Sequence, residues 1–285
     1  MAGQSAGIVA ATPDALQLRV LAGAENFSVA PALLGARTRE RLNAIYGFAR
    51  LVDTLGDELA ADRLAALDWL EADLDRVYGG SPEHPAMARL APVARELSLP
   101  RQPFVRLIDA NRLDQSVHDY GTFDELVAYC DLSANPVGEL VLHVFGAATP
   151  ENVALSDQVC TALQLVEHWQ DVGEDARSGR IYLPREDRER FQVSDDELLA
   201  THTSDALRAL LAFEVDRASS LMDDGARLVG RLHGRARAAV AAYVGGGRAA
   251  LAALRLGGYH VLPDAPKATK GARLRHTIAT FGAGR

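Results

Sequence analysis

The chain has 285 residues, 48% of them hydrophobic and 6% aromatic, with a formal net charge of −8. That length makes one large domain or two small ones with ample core, and the acidic balance excludes a nucleic-acid backbone as partner, because such binders need a basic footprint. A small polyanion bridged by metal remains compatible. Ala, Leu, Arg, Glu and Asp dominate and β-branched and ring-bearing residues are few, which predicts an all-α fold.

The first residues, MAGQSAGIVAATPDALQ, carry no basic region ahead of their short apolar run, so no secretory signal is expected. Residues 1–12 read as a flexible tail, and Thr12-Pro13-Asp14 reads as a helix start with proline in the first turn. Helical periodicity then predicts helices over 37–58, 62–77, 84–97, 102–119, 122–147, 151–177, 204–231, 234–257 and 271–282. Gly79-Gly80-Ser81-Pro82, Leu99-Pro100, Gly121-Thr122, Thr149-Pro150, Gly179 and Leu262-Pro263 punctuate them. With no long linker and no repeat, residues 13–285 are expected to form a single helical domain around a central cavity. Gly245-Gly246-Gly247, inside a helical pattern, predicts close helix packing or a kink. Cys130 and Cys160 lie in apolar helical stretches without metal-ligand spacing and read as buried free thiols, which suits a cytoplasmic location. No window approaches about 18 uncharged apolar residues, so no transmembrane anchor is expected.

Asp53 and Asp57, four residues apart, should lie one turn apart on one helix face. Glu167, Asp171 and Asp175 continue that spacing in a second helix, as a carboxylate stripe among Leu163, Leu165 and Val166. Like charges so placed are destabilising unless compensated. Mg2+ would compensate them, since it takes one or two carboxylates and fills its other positions with water and phosphate oxygens. Glu71 and Asp75 share the spacing on what reads as a solvated face, so spacing alone decides little. Arg50 beside the first pair, and Arg177 and Arg180 after the second, add cations suited to a polyphosphate. The combination fits heterolysis of a carbon–oxygen bond to diphosphate.

At these residues the chain resembles the squalene and phytoene synthase family of isoprenoid synthases, over about 25 to 260. Asp53-Thr54-Leu55-Gly56-Asp57 is similar to the first aspartate motif. Gln170-Asp171-Val172-Gly173-Glu174-Asp175, continuing through Arg177, Gly179-Arg180 and Ile181-Tyr182-Leu183-Pro184, is similar to the second. The resemblance implies two facing aspartate-rich helices, with Asp53, Asp57, Glu167, Asp171 and Asp175 as Mg2+ ligands. It implies Tyr46, Arg50, Gln164, Gln170, Arg177 and Arg180 on the substrate, and Tyr129 beside the cavity. Glu25-Asn26-Phe27-Ser28-Val29-Ala30, with Asn26 and Phe27 expected on the substrate, and Ser133-Ala134-Asn135-Pro136-Val137-Gly138 resemble the hydroxysqualene synthase branch of bacterial hopanoid pathways. Members of that branch ionise presqualene diphosphate and capture water without a nicotinamide cofactor.

Two departures bear on the choice. Glu167 stands where many relatives have asparagine, and Gln170 stands where condensing relatives have arginine. A substrate with one diphosphate tolerates the second loss. Pro136 should break or kink its helix, and a kink opening the cavity wall would admit water. The rivals are a synthase condensing two prenyl diphosphates to squalene precursors or phytoene, and a non-catalytic assembly factor of the same fold. His118, His143, Trp69 and Trp169 read as structural, and His168 as lying on a different helix face from Asp171. A lipophilic product implies transient contact with a membrane, at its inner face, or with the next pathway enzyme, yet no strongly basic amphipathic helix stands out as an anchor.

Overall fold

The structure, a computed structural model, describes residues 34–283; the readings placed on Thr12-Pro13-Asp14, Asn26 and Phe27 lie outside the described residues. The described residues are all-α, with a lone bridge between Asp119 and Ile181 as their extended pairing. They fall into two compact units, one formed by residues up to 116 together with 139–148, the other by 117–138 and 149 onward.

The first unit begins with α1 (Ala36–Asp53), which runs directly into a π-helical turn, Thr54–Glu58. It continues through α2 (Arg63–Gly79), α3 (Pro85–Leu97) and α4 (Gln102–Leu113). In α2, Leu67, Leu70 and Leu74 are wholly buried at helical spacing, each contributing about 1.5–3 kcal/mol by leaving water. Phe48 of α1 meets Phe104 of α4 edge-on at 4.9 Å. Glu71 and Asp75 are not a plain solvated pair. Arg101 donates to both of them, and Arg112 to Glu71 and Asp68, tying α2 to α4.

The second unit holds α5 (Phe123–Ser133), the start of α6 (Asn135–Val144), α7 (Pro150–Gln170) and α8 (Val172–Arg177). Then come α9 (Arg185–Phe191), α10 (Asp195–Leu198), α11 (Asp205–Gly225), α12 (Leu228–Arg231), α13 (Gly234–Leu256) and α14 (Lys270–Ala283). Side-chain caps set the starts of three helices. Thr122, Thr149 and Ser204 each accept a hydrogen bond from the backbone N–H three residues on.

Several expected helices are broken. The stretch 122–147 divides at Ala134, and Pro136, which a helix interior disfavours, falls in the first turn of the new helix. The stretch 102–119 ends as a helix at Leu113. The stretch 204–231 divides after Gly225, whose added Cβ would lie 2.8 Å from the Leu155 carbonyl and the Val159 amide of α7. The glycine run in α13 serves close packing as expected: a Cβ on Gly245 would fall 2.5 Å from the Thr277 backbone, and one on Gly247 would strike Met222. Cys130 and Cys160 are free thiols, both pushed up to about 12 chiefly by burial, which keeps them unreactive.

One buried charge cluster in this unit has a consequence for stability. Arg217 of α11 donates to Asp187 of α9 and to Glu214 of α11, while the second Glu214 carboxyl oxygen has no partner. Burial raises the Glu214 carboxyl to about 8. Folded protein therefore holds a proton that unfolded chain releases above the ordinary value of 4.5, so this site's stabilising contribution is complete below about pH 4.5 and lost as pH rises through about 8. Glu214→Gln is expected to flatten that dependence and to exceed the parent in stability at pH 9 by on the order of 2–4 kcal/mol. Urea melts of both proteins between pH 5 and 9 check this, and parallel curves would refute it.

Candidate active site

In the first unit, the acidic motif departs from the regular helix expected for it. Leu59 N–H bonds the Thr54 carbonyl 3.1 Å away, five residues back, so the chain widens into a π turn just where the motif lies. Such turns are rare and recur at functional sites. Asp53 closes α1, and Asp57 sits within the widened turn; both are exposed. Two residues, Asn111 of α4 and Gln115 just beyond its end, hold the turn. Asn111 occupies the space where a Cβ on Gly56 would lie, its Oδ1 2.0 Å away, and Gln115 Nε2 donates to the Gly56 carbonyl at 3.0 Å.

Arg50 donates to Glu58 through one terminal nitrogen, while its buried Nε has no hydrogen-bond partner. A guanidinium so held keeps a donor for an incoming oxyanion. Tyr46, one turn earlier, is buried.

In the second unit, the carboxylate stripe does not lie on one continuous helix. Asp171 is the junction between α7 and α8, with φ −103° and ψ 15°. Backbone hydrogen bonds nevertheless continue through it, from Asp171 N–H to Glu167 at 2.9 Å and from Asp175 N–H to Asp171 at 2.8 Å. The three carboxylates therefore keep one-turn spacing. Asp171 is exposed as a residue, yet its carboxyl is raised above the ordinary range, first by lost hydration and then by the Asp175 and Glu174 charges; Lys267 opposes this. Gly173 is needed here, because a Cβ would lie 2.5 Å from Leu262, whose segment is anchored by Thr203 Oγ1 accepting from Val261 and Leu262. Gln170 donates to the Pro266 carbonyl at 3.1 Å. Arg177 is exposed, and Arg180 N–H bonds the Asp175 carbonyl at 2.9 Å.

Beside these acids lies a cluster of buried rings. Tyr182 stacks on His168 at 3.6 Å and on Tyr120 at 5.8 Å, and Tyr129 sits within 6.5 Å of all three. The segment after the second motif is fixed for this purpose: Ile181 N–H bonds the His118 carbonyl, and Arg185 N–H bonds that of Tyr120. Buried Arg188 braces the same strip, donating to the Leu183 carbonyl at 3.0 Å and to Asp119 at 2.6 Å.

His168 joins rings to acids. Its Nε2 is 3.1 Å from the Gln164 amide nitrogen, and its Nδ1 faces Asp175 at 3.9 Å, so donation from Gln164 would favour the tautomer protonated on Nδ1. Burial holds this imidazole below its ordinary range, hence neutral. Sequence reasoning set His168 apart from the acidic face of Asp171, but Asp175 lies seven residues on and so returns to the histidine's side. Lys267, Asn111, Gln115, Tyr120 and Tyr182 were likewise not singled out for roles. Trp169 is wholly buried packing, and its indole N–H finds no hydrogen-bond partner among the described residues.

Among the described residues no three His, Cys, Asp or Glu side chains gather closely enough to hold an ion alone. Hard oxygen donors in ones and twos suit Mg2+, which is completed by water and phosphate oxygens, and do not suit a closed protein cage.

The family model for squalene/phytoene synthases matches residues 20–274. The phytoene synthase of Mycobacterium bovis is 35% identical over 237 residues, covering 81% of this chain and 78% of its own. The hydroxysqualene synthase of Rhodopseudomonas palustris is 34% identical over 212 residues, covering 73% and 71%. The crystal structure of squalene synthase HpnC from Alicyclobacillus acidocaldarius superposes with a TM-score of 0.80 at 42% identity, covering 88% of this chain and 98% of that one. With the family model matching most of the chain and relatives more than 30% identical over two thirds of it or more, this chain belongs to the squalene/phytoene synthase family.

Proposed function

We propose that the protein is a hydroxysqualene synthase, converting presqualene diphosphate and water into hydroxysqualene and diphosphate. The observation that carries the reading is the meeting, at His168, of a carboxylate cluster with four buried rings. One side suits a metal-bound diphosphate, the other a carbocation whose charge is stabilised by aromatic faces. Support for the branch comes from the hydroxysqualene synthase relative and the 42% identical squalene synthase. It comes also from neutral Gln170, whose amide is committed to Pro266 and gives no second cationic grip.

Asp53 and Asp57 in one unit, and Glu167, Asp171 and Asp175 in the other, would hold Mg2+. Bound Mg2+ supplies neutralisation of the charge that develops on the departing diphosphate. In the first unit Arg50 would donate to diphosphate oxygens through its Nε and by exchanging Glu58 for substrate, with Tyr46 one turn away; in the second, Arg177 and Arg180 would supply further cations. Tyr129, Tyr182 and Tyr120 would line the apolar side of the site and keep bulk water from the cation. Gln164 would hold His168 in place through its Nε2, with Nδ1 facing Asp175.

A second reading, condensation of two prenyl diphosphates, is favoured by the 35% identity to a phytoene synthase. Purified protein with Mg2+ is to be incubated separately with presqualene, farnesyl and geranylgeranyl diphosphates. Hydroxysqualene from the first alone is the expected result, and turnover restricted to either of the others would overturn the assignment. Among the described residues no helix is long and apolar enough to cross a membrane. A substrate this lipophilic favours work at the periphery of the inner membrane face from the cytoplasm.

A further inference from the structure

The last helix leaves apolar side chains uncovered. α14 packs on α13 through one edge only: Thr277 lies against Gly245, and Thr280 is buried and accepts from Arg248 at 3.0 Å. Leu274 and Ile278, one turn apart, are 62% and 63% exposed. Leu256, at the end of α13, is 87% exposed, more than any other large apolar residue among those described. Lone exposed leucines are ordinary, whereas an i, i+4 pair rimmed by charge marks an interaction face.

The charge carried by α14 and the loop before it has one sign after Asp264. The whole chain carries −8, yet no Asp or Glu follows Asp264, while Lys267, Lys270, Arg273 and Arg275 do. Lys270 falls one turn before Leu274 on the same stripe. The neighbouring His276 imidazole is held below its ordinary range by burial and by the Arg275 and Arg248 charges, in keeping with a positive local field.

The loop that leads into α14 also reaches the acidic motif. Pro266 takes the Gln170 amide, and Lys267 acts on the Asp171 charge. The uncovered face therefore begins a few residues from the candidate diphosphate site.

We propose that this face of α14, Leu274 and Ile278 with Lys270 and Arg275, docks on the anionic surface of a lipid bilayer. Its apolar pair enters the headgroup boundary while the cations meet lipid phosphates, the arrangement of an interfacial helix. The proposal rests on the function assigned above for its purpose, delivery of a membrane-dissolved substrate, but its physical basis is independent of catalysis.

The test is co-sedimentation of the full chain with vesicles of phosphatidylcholine alone or mixed with phosphatidylglycerol, at low and moderate salt. Wild type should bind the anionic vesicles about tenfold better than the neutral ones, with the preference weakening in salt. Leu274→Asn/Ile278→Asn and, separately, Lys270→Glu/Arg275→Glu should each lower that binding about tenfold or more. Turnover of detergent-dispersed substrate should be unchanged in both. Equal binding to both vesicles, or undiminished binding by the folded double variants, would overturn the proposal. So would sedimentation as a dimer that Leu274→Asn/Ile278→Asn dissociates, which would assign the face to a second copy. Loss of turnover in the wild type with vesicle binding intact would remove the assigned reaction and leave the docking face.

Discussion

Asp171→Asn is expected to lower kcat/KM for presqualene diphosphate by about 10³-fold or more, with a melting temperature within about 2 °C of wild type. The side chain is exposed at a helix junction, so folding has little need of it. Its charge, crowded by Asp175 and Glu174, is one that a bound cation would stabilise. A control with the same four-residue spacing separates the two uses of acidic pairs. Glu71→Gln/Asp75→Asn removes partners of Arg101 and Arg112. That change should cost about 1 kcal/mol of stability and leave kcat/KM within about threefold. Steady-state kinetics across a Mg2+ titration, with thermal melts, decide the matter. Equal activity losses in both variants would mean that the acidic residues near Asp171 act structurally.

What the sequence discloses and what it hides follow from the range of the forces involved. Helices such as α2, α3 and α13 are written locally, in apolar periodicity and in caps such as Thr122, Thr149 and Ser204, and periodicity finds them. The aspartate motifs are legible for the same reason, since spacing within a turn is a local property. The π turn is not, because Asn111 and Gln115, more than fifty residues away, hold it. Nor are α9 and α10 legible: α9 is short, charged and without an apolar stripe, and its position depends on Arg188 reaching Asp119 and Asp195. The ring cluster is assembled from Tyr120, Tyr129, His168 and Tyr182, four positions that no single helix contains. The spacing of His168 from Asp171 does not disclose its approach to Asp175, because that acid lies two turns on.

Gly56→Ala is expected to be the most damaging single methyl addition to the first acidic motif. The new Cβ would stand 2.0 Å from Asn111 Oδ1, 2.8 Å from Cγ and 3.1 Å from Cβ, so a terminal rotation cannot relieve the clash. Asn111 is buried and its Nδ2 is held by the Leu107 carbonyl, which leaves it little room to retreat. Either α4 shifts or the π turn unwinds, at about 1–3 kcal/mol of stability. Both outcomes move Asp53 and Asp57, and a displacement of about 1 Å at carboxylates proposed to hold Mg2+ is expected to lower turnover by roughly 10²-fold. Asn111→Ala in the same chain removes the obstructing amide and should return much of both losses, giving a favourable coupling of about 1–3 kcal/mol in the double-mutant cycle. Chemical denaturation and kinetics of the wild type, the two single variants and the double variant measure it. Additive effects would show that Asn111 does not hold the turn, and that the π geometry at the motif has another cause.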